Sequence, residues 1–167
     1  SSIGGDSSDV ASHLSSGVIE VTSNYYAFAA LKEDGSVVAW GYPDFGGDTA
    51  SVDSLIDRDV VKVVATMFDS FAALKDDGSV VTWGSSGNGG DSSTVASQIS
   101  SGVVEIVANR GAFAAIKDDG SVITWGRAQD GGNSSDVVSS LTSGVLSIST
   151  SYDAFAALKI DGSVVTW

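Results

Sequence analysis

Apolar positions fall in short runs, each closed by glycine, serine or an acidic pair, and the runs alternate in the manner of strands. In "AFAALK" (27 to 32), Phe28 and Ala30 share one face and Ala29 and Leu31 the other; in "SVVAW" (36 to 40), Val38 and Trp40 lie opposite Val37 and Ala39. Both faces are apolar, which places these strands inside a stack of sheets, and the many alanines let neighbouring sheets approach closely. Glu33-Asp34-Gly35 separates the two runs, and Asp-Gly between strands is a hairpin signal because glycine accepts positive φ. A two-residue type I′ turn and a three-residue turn with a glycine bulge both fit. A third strand is expected over "VIEV" (18 to 21). Upstream, Asp6-Ser7-Ser8, the apolar pair Val10/Leu14 and Gly17 predict an N-capped helix of about two turns ended by glycine.

The same unit recurs four times. Trp40, Trp83, Trp125 and Trp167 are spaced by 43, 42 and 42 residues, and the Asp-Gly pairs at 34, 77, 119 and 161 and the Gly-Gly pairs at 4, 46, 89 and 131 keep step. The pairs Val52/Ile56, Val95/Ile99 and Val137/Leu141 repeat the helical stripe, and "VVEIV" (103 to 107) and "VLSI" (145 to 148) repeat the leading strand. Units approximately at 1-40, 41-83, 84-125 and 126-167 form a single repeat domain. The expected fold class is all-β: a propeller-type array of four blades, each a three- to four-stranded antiparallel sheet with a short helical turn.

"FAALKDDGSVVTWG" (71 to 84), with a strand before it and a Gly-rich link after it, resembles the repeat of the regulator of chromosome condensation family. The shared pattern, A-[LI]-K-x-D-G-S-V-x-x-W-G, runs through all four units, the fourth as far as Trp167. The resemblance implies a β-propeller, commonly seven-bladed, and a binding role with no catalytic residue. Family repeats carry a histidine before the first inner strand, where this chain has Ala27, Ser70, Ala112 and Ala154. No insertion matches the founding member's exchange-factor elements. Four units leave three arrangements open: a four-bladed ring, a ring shared with a second chain, and part of a longer array.

Charge narrows the partners. With 21 acidic against 8 basic residues the net charge is -13, which repels nucleic-acid phosphates and anionic lipid surfaces. Glycine and serine interrupt every apolar run well short of the about 18 residues a membrane helix needs. There is no cysteine and one histidine, His13, so thiol chemistry and a multi-histidine metal centre are excluded, and no cofactor is expected. His13 is expected at the surface. The absence of a starting methionine points to a processed chain or an excerpt; the compartment stays open.

The recurring polar residues read as structure. Asp-Gly lacks the alternating ligands of a calcium loop, and "GGDSSD" (4 to 9) lacks the lysine of a phosphate loop, so turn and capping roles are expected. Lys32, Lys75, Lys117 and Lys159 are expected to pair with the acidic turn residue beside them. The four tryptophans are expected in packing between blades. One histidine and no nucleophile elbow leave no support for a triad, so the protein is read as not an enzyme.

Two stretches of each unit vary while the rest repeats: one after each Trp-Gly, the other before each "AFAA" phrase. The second copy gains a residue between Ala65 and Phe71, read as a bulge or longer loop. These stretches hold the candidate binding residues Tyr25, Tyr26, Tyr42, Phe45, Phe68, Arg110, Arg127 and Tyr152, of the types that anchor protein interfaces. Loop drift after duplication is the competing account. The expected function is a non-enzymatic binding or assembly module for a protein partner or for self-association. A glycan-binding module using loop aromatics and a structural spacer in a longer repetitive protein are the alternatives.

Overall fold

The computed structural model describes residues 4 to 167; the first unit's residues 1 to 3 lie outside it. Twelve strands form four three-stranded antiparallel sheets, one per unit, each in sequential order. Blade 1 comprises β1 (Val18–Ser23), β2 (Ala27–Lys32) and β3 (Val37–Gly41); blade 2 comprises β4 (Val60–Ala65), β5 (Ser70–Lys75) and β6 (Val80–Gly84). Blade 3 comprises β7 (Val103–Ala108), β8 (Ala112–Lys117) and β9 (Val122–Gly126); blade 4 comprises β10 (Val145–Thr150), β11 (Phe155–Lys159) and β12 (Val164–Thr166). No fourth strand forms among the described residues. No helix among them is long and apolar enough to cross a membrane.

The hairpin is the three-residue form. Gly35 N–H donates to Lys32 C=O at 2.9 Å, Lys32 N–H donates to Ser36 C=O at 2.9 Å, and Gly35 sits at φ 78° as the bulge residue. Asp34 Oδ1 accepts from the Ser36 hydroxyl at 2.6 Å and its N–H at 3.0 Å, and these bonds hold the carboxyl below the usual carboxylate range. The segments leading into each blade are 3-10 turns (Ser8–Val10, Asp53–Leu55, Ser93–Val95, Ser135–Ser140), not capped α-helices. Asp6 Oδ1 accepts from Ser8 N–H two residues on, an Asx turn, while Ser7, the residue that flanks the 3-10 turn, makes no side-chain capping bond. Gly17, Gly102 and Gly144 end these segments at positive φ, and Asp59 takes that conformation in blade 2 at φ 65°.

Blades pack face to face in chain order. Ala27, Ala29 and Leu31 of blade 1 meet Val63, Phe71 and Trp83 of blade 2, and the same two surfaces meet between blades 2 and 3 and between blades 3 and 4. Alanine on one side makes room for a large ring on the other. Trp83 stacks on Phe71 at 5.2 Å, and its indole N–H donates to Gly46 C=O at 3.1 Å; Trp125 donates to Gly89 C=O and Trp167 to Gly131 C=O. Trp83, Trp125 and Trp167 are thus packing residues between blades whose one polar atom is satisfied by the link from the preceding blade, whereas Trp40, in the first blade, stacks on Phe28 at 5.2 Å and stays half-buried with no blade before it. The described residues do not close as a four-bladed ring: they leave one face of blade 1 and one of blade 4 uncovered, with Val21 and Leu158 exposed, and form an open arc. The inner strands β1, β4, β7 and β10 line its concave side.

The lysines do not pair with the turn carboxylates. Lys75, Lys117 and Lys159 donate to the carbonyls of Leu55, Gln98 and Ser140, at the end of the 3-10 segment leading into their own blade. Those carbonyls have no ladder partner and collect the nearby ammonium groups. His13 is exposed, as expected.

Candidate functional site: an aromatic surface across four blades

The loops between the first two strands of each blade gather at one end of the arc, tied together by their backbones. Tyr25 N–H donates to Met67 C=O, Met67 N–H to Asn109 C=O, Phe68 N–H to Arg110 C=O and Arg110 N–H to Tyr152 C=O, at 3.0 to 3.2 Å. Side chains from four blades therefore meet in one row. Tyr42 and Phe45 lie 5.6 Å apart, Phe45 is 4.7 Å from Tyr26, Tyr26 is 6.4 Å from Tyr25, and Tyr25 is 5.7 Å from Phe68. The Arg110 guanidinium then lies 5.9 Å over Phe68 and 4.7 Å over Tyr152. Tyr25, Tyr26, Tyr42 and Tyr152 are exposed; Phe45, Phe68 and Arg110 are half-buried.

All eight residues singled out in the sequence are brought together, with Arg127 at the margin. Arg110 forks onto the buried Asp130 through Nε, at 3.0 Å to Oδ2, and through Nη2 to Oδ1, while Arg127 Nη1 stands 4.0 Å from Oδ2. The hydrogen bond to Asp130 raises the guanidinium above its ordinary value, so Arg110 is a permanent cation.

Asn24, Asn109 and Thr66 escaped sequence reasoning. Asn24 Oδ1 accepts from the N–H groups of Tyr26 and Ala27 while its Nδ2 donates to Phe45 C=O at 2.9 Å, bracing the two variable stretches of blade 1 against each other. Asn109 does the same with Gly111, Ala112 and Asp130, and Thr66 Oγ1 accepts from Asp69 and Ser70. The signal was available: an asparagine or threonine opens this loop in three units. The two variable stretches are neighbours in space and matched within a blade: Tyr26 with Phe45, Asp69 with Asn88 Nδ2 at 3.0 Å, Arg110 with Asp130. The extra residue of the second copy lengthens this loop and leaves the strand register intact, with Phe71 opposite Trp83 as in the other blades.

Asp69 carries a testable cost. Its Oδ1 is buried without a hydrogen bond, and burial raises its pKa against the opposing bonds from Asn88 and Ser85. A raised folded-state value means the folded form holds the proton more tightly, so this group's contribution improves as pH falls through that value and is unfavourable at neutral pH. Asp69→Asn is expected to stabilise the protein by about 1 kcal/mol at neutral pH. Thermal melts at descending pH are expected to show the advantage shrinking.

No protein-family profile and no curated protein matches the chain. Solved structures do. Prp20p from Saccharomyces cerevisiae, described with its binding to Gsp1p and histones, superposes with a TM-score of 0.63 at 20% identity over 90% of this chain and 44% of its own. Yeast RCC1 (Prp20) bound to Kap60 gives 0.62 at 20% identity over 90% and 43%. The CRINKLY WD40 ectodomain of the Arabidopsis thaliana receptor kinase ACR4 gives 0.55 at 21% identity over 90% and 52%. The chain spans less than half the length of the yeast structures. Four three-stranded blades in sequential order, each after the first packing its Phe–Trp face on the alanine face of the blade before it and superposing on these structures, give the chain the fold of a regulator of chromosome condensation propeller.

Proposed function

We propose that the protein is a non-enzymatic binding module that takes a basic protein surface onto its row of loop aromatics. The observation that carries this reading is the continuity of the row from Tyr42 to Tyr152 across four blades. Exposed tyrosines on a rigid β scaffold lose little entropy on binding and present π faces to lysine and arginine side chains. The net charge of -13 attracts such a partner and steers its approach. Prp20p, a protein of the same fold, is described as binding histones, which are basic.

Affinity capture on immobilised protein, read in parallel with a glycan array, tests the proposal. Captured basic proteins should be lost at high salt, and Tyr25→Ala or Tyr42→Ala should each weaken capture by about tenfold. Saturable sugar binding lost in the same variants would assign the surface to glycans instead. Empty screens in both formats would overturn the binding reading.

A further inference from the structure

The uncovered faces at the two ends of the arc are the two halves of the junction that is built three times inside it. Val21 of β1 is 55% exposed, whereas Val63, Ile106 and Ile148 at the same position are 3%, 1% and 8% exposed. Leu158 of β11 is 42% exposed, whereas Leu31, Leu74 and Ile116 are 2%, 7% and 4%. The face left open on blade 1 is the Phe–Trp face, and that on blade 4 is the alanine face. Each is the partner of the other.

The backbone carries the same complementarity. At every internal junction the hairpin glycine of the earlier blade accepts from the first valine of the later one: Val60 to Gly35, Val103 to Gly78 and Val145 to Gly120, each at 3.0 Å. A second bond runs the other way, from Val37 to Ile56 C=O, Val80 to Ile99 C=O and Val122 to Leu141 C=O. The homologous groups at the ends are Gly162 C=O with Val18 N–H, and Val164 N–H with Leu14 C=O. A Cβ on Gly35, Gly78 or Gly120 would meet the next blade's backbone at 2.6 to 2.8 Å, while one on Gly162 meets nothing within 4 Å.

We propose that a second copy of this chain docks head to tail on these faces, blade 4 of each copy against blade 1 of the other, closing an eight-bladed ring from two arcs. Any occupant must present a Phe–Trp face to blade 4 and an alanine face to blade 1, and one further copy does both at once. Propellers hold about four to eight blades, so two arcs fall within the range and three exceed it. Once one junction forms, the second closes within the same complex at high effective concentration. Like net charges oppose the pairing until salt screens them, so pairing strengthens with salt. Loop capture of a basic partner weakens with salt, which separates the two readings.

Sedimentation equilibrium of the wild-type chain decides the question without any variant: the expected mass is twice 16.9 kDa, and a single-chain mass at high micromolar concentration overturns the proposal. Leu158→Asp and Val21→Lys each place a charge in both junctions of the ring and are expected to weaken pairing by about a hundredfold or more. An equimolar mixture of the two variants retains one unaltered junction, the fourth blade of the Val21→Lys chain on the first blade of the Leu158→Asp chain. It is therefore expected to recover a complex of one of each, which misfolded variants cannot do. Val104→Asp, at a position exposed in every blade, is expected to pair as the wild type does. Variants that pair undiminished, or folded variants whose mixture stays as single chains, overturn the head-to-tail arrangement.

Discussion

Gly89→Ala is expected to destabilise the protein by about 2 to 5 kcal/mol, from two independent causes. Gly89 sits at φ 100°, where an L-residue's Cβ crowds its own backbone at a cost of about 1 to 2 kcal/mol. The same Cβ would lie 2.6 Å from Cδ2 of Phe113, and accommodating it in a packed core adds about 1 to 3 kcal/mol. Phe113 has no room to retreat, being fully buried and stacked at 5.2 Å on Trp125. At roughly 2 to 4 °C per kcal/mol for a chain of this size, the midpoint of a calorimetric melt should fall by about 4 to 20 °C. Gly87→Ala is the internal control. Its Cβ would meet nothing within 4 Å and its φ is not positive, so it should leave the midpoint unchanged or raise it slightly. Equal losses at the two positions would mean that the loop as a whole, rather than the Gly89 slot, governs stability.

Phe113→Ala is expected to cost about 3 to 5 kcal/mol, because removing a fully buried ring leaves a void that the alanines opposite are too small to fill. It also strips Trp125 of its stacking partner, so the near-ultraviolet circular dichroism and tryptophan emission should change in the folded protein. Phe28 holds the same position in blade 1 and stacks on Trp40 at 5.2 Å, yet its ring is only half-buried on the uncovered face. Phe28→Ala should therefore cost clearly less, measured by denaturant titration at dilutions where the arcs are single. Equal costs at such dilutions would contradict the open arc.

Much of this architecture is legible in the repeat. The strands stand where alternation and the Asp-Gly turns place them, because a residue period of two and a glycine requirement are local properties. The tryptophans are also legible, since a large ring recurring on a strand with two apolar faces has few places to go. What the sequence conceals is where competition between neighbours decides. Asp6 has the residue type of a cap, yet it stands one position before the flanking Ser7 and closes an Asx turn with Ser8, and the segment that follows is a 3-10 turn. The lysines have a carboxylate beside them in sequence, yet orphan carbonyls lie closer to the reach of Lys75, Lys117 and Lys159. Each leading strand also carries a register shift near its start, as between Val18 and Glu20, that no residue marks in all four copies. For the candidate surface, the aromatic and arginine side chains were visible as residues that fail to repeat. Their assembly into one row depends on backbone bonds between blades and on the Asn24 and Asn109 braces, which pair groups distant in sequence.

The indole hydrogen bond described between blades has a temporal side. Trp83 lies 37 residues after the Gly46 carbonyl it binds, and Trp125 and Trp167 each lie 36 residues after theirs. During synthesis at about 5 to 20 residues per second, each of the first three blades therefore waits some 2 to 7 seconds before the ring that seals its exposed face has been made. An alanine-lined face offers little apolar area to a stray partner during that wait. The small residues that let blades sit close in the finished arc also keep the growing chain inconspicuous while it is still one blade short.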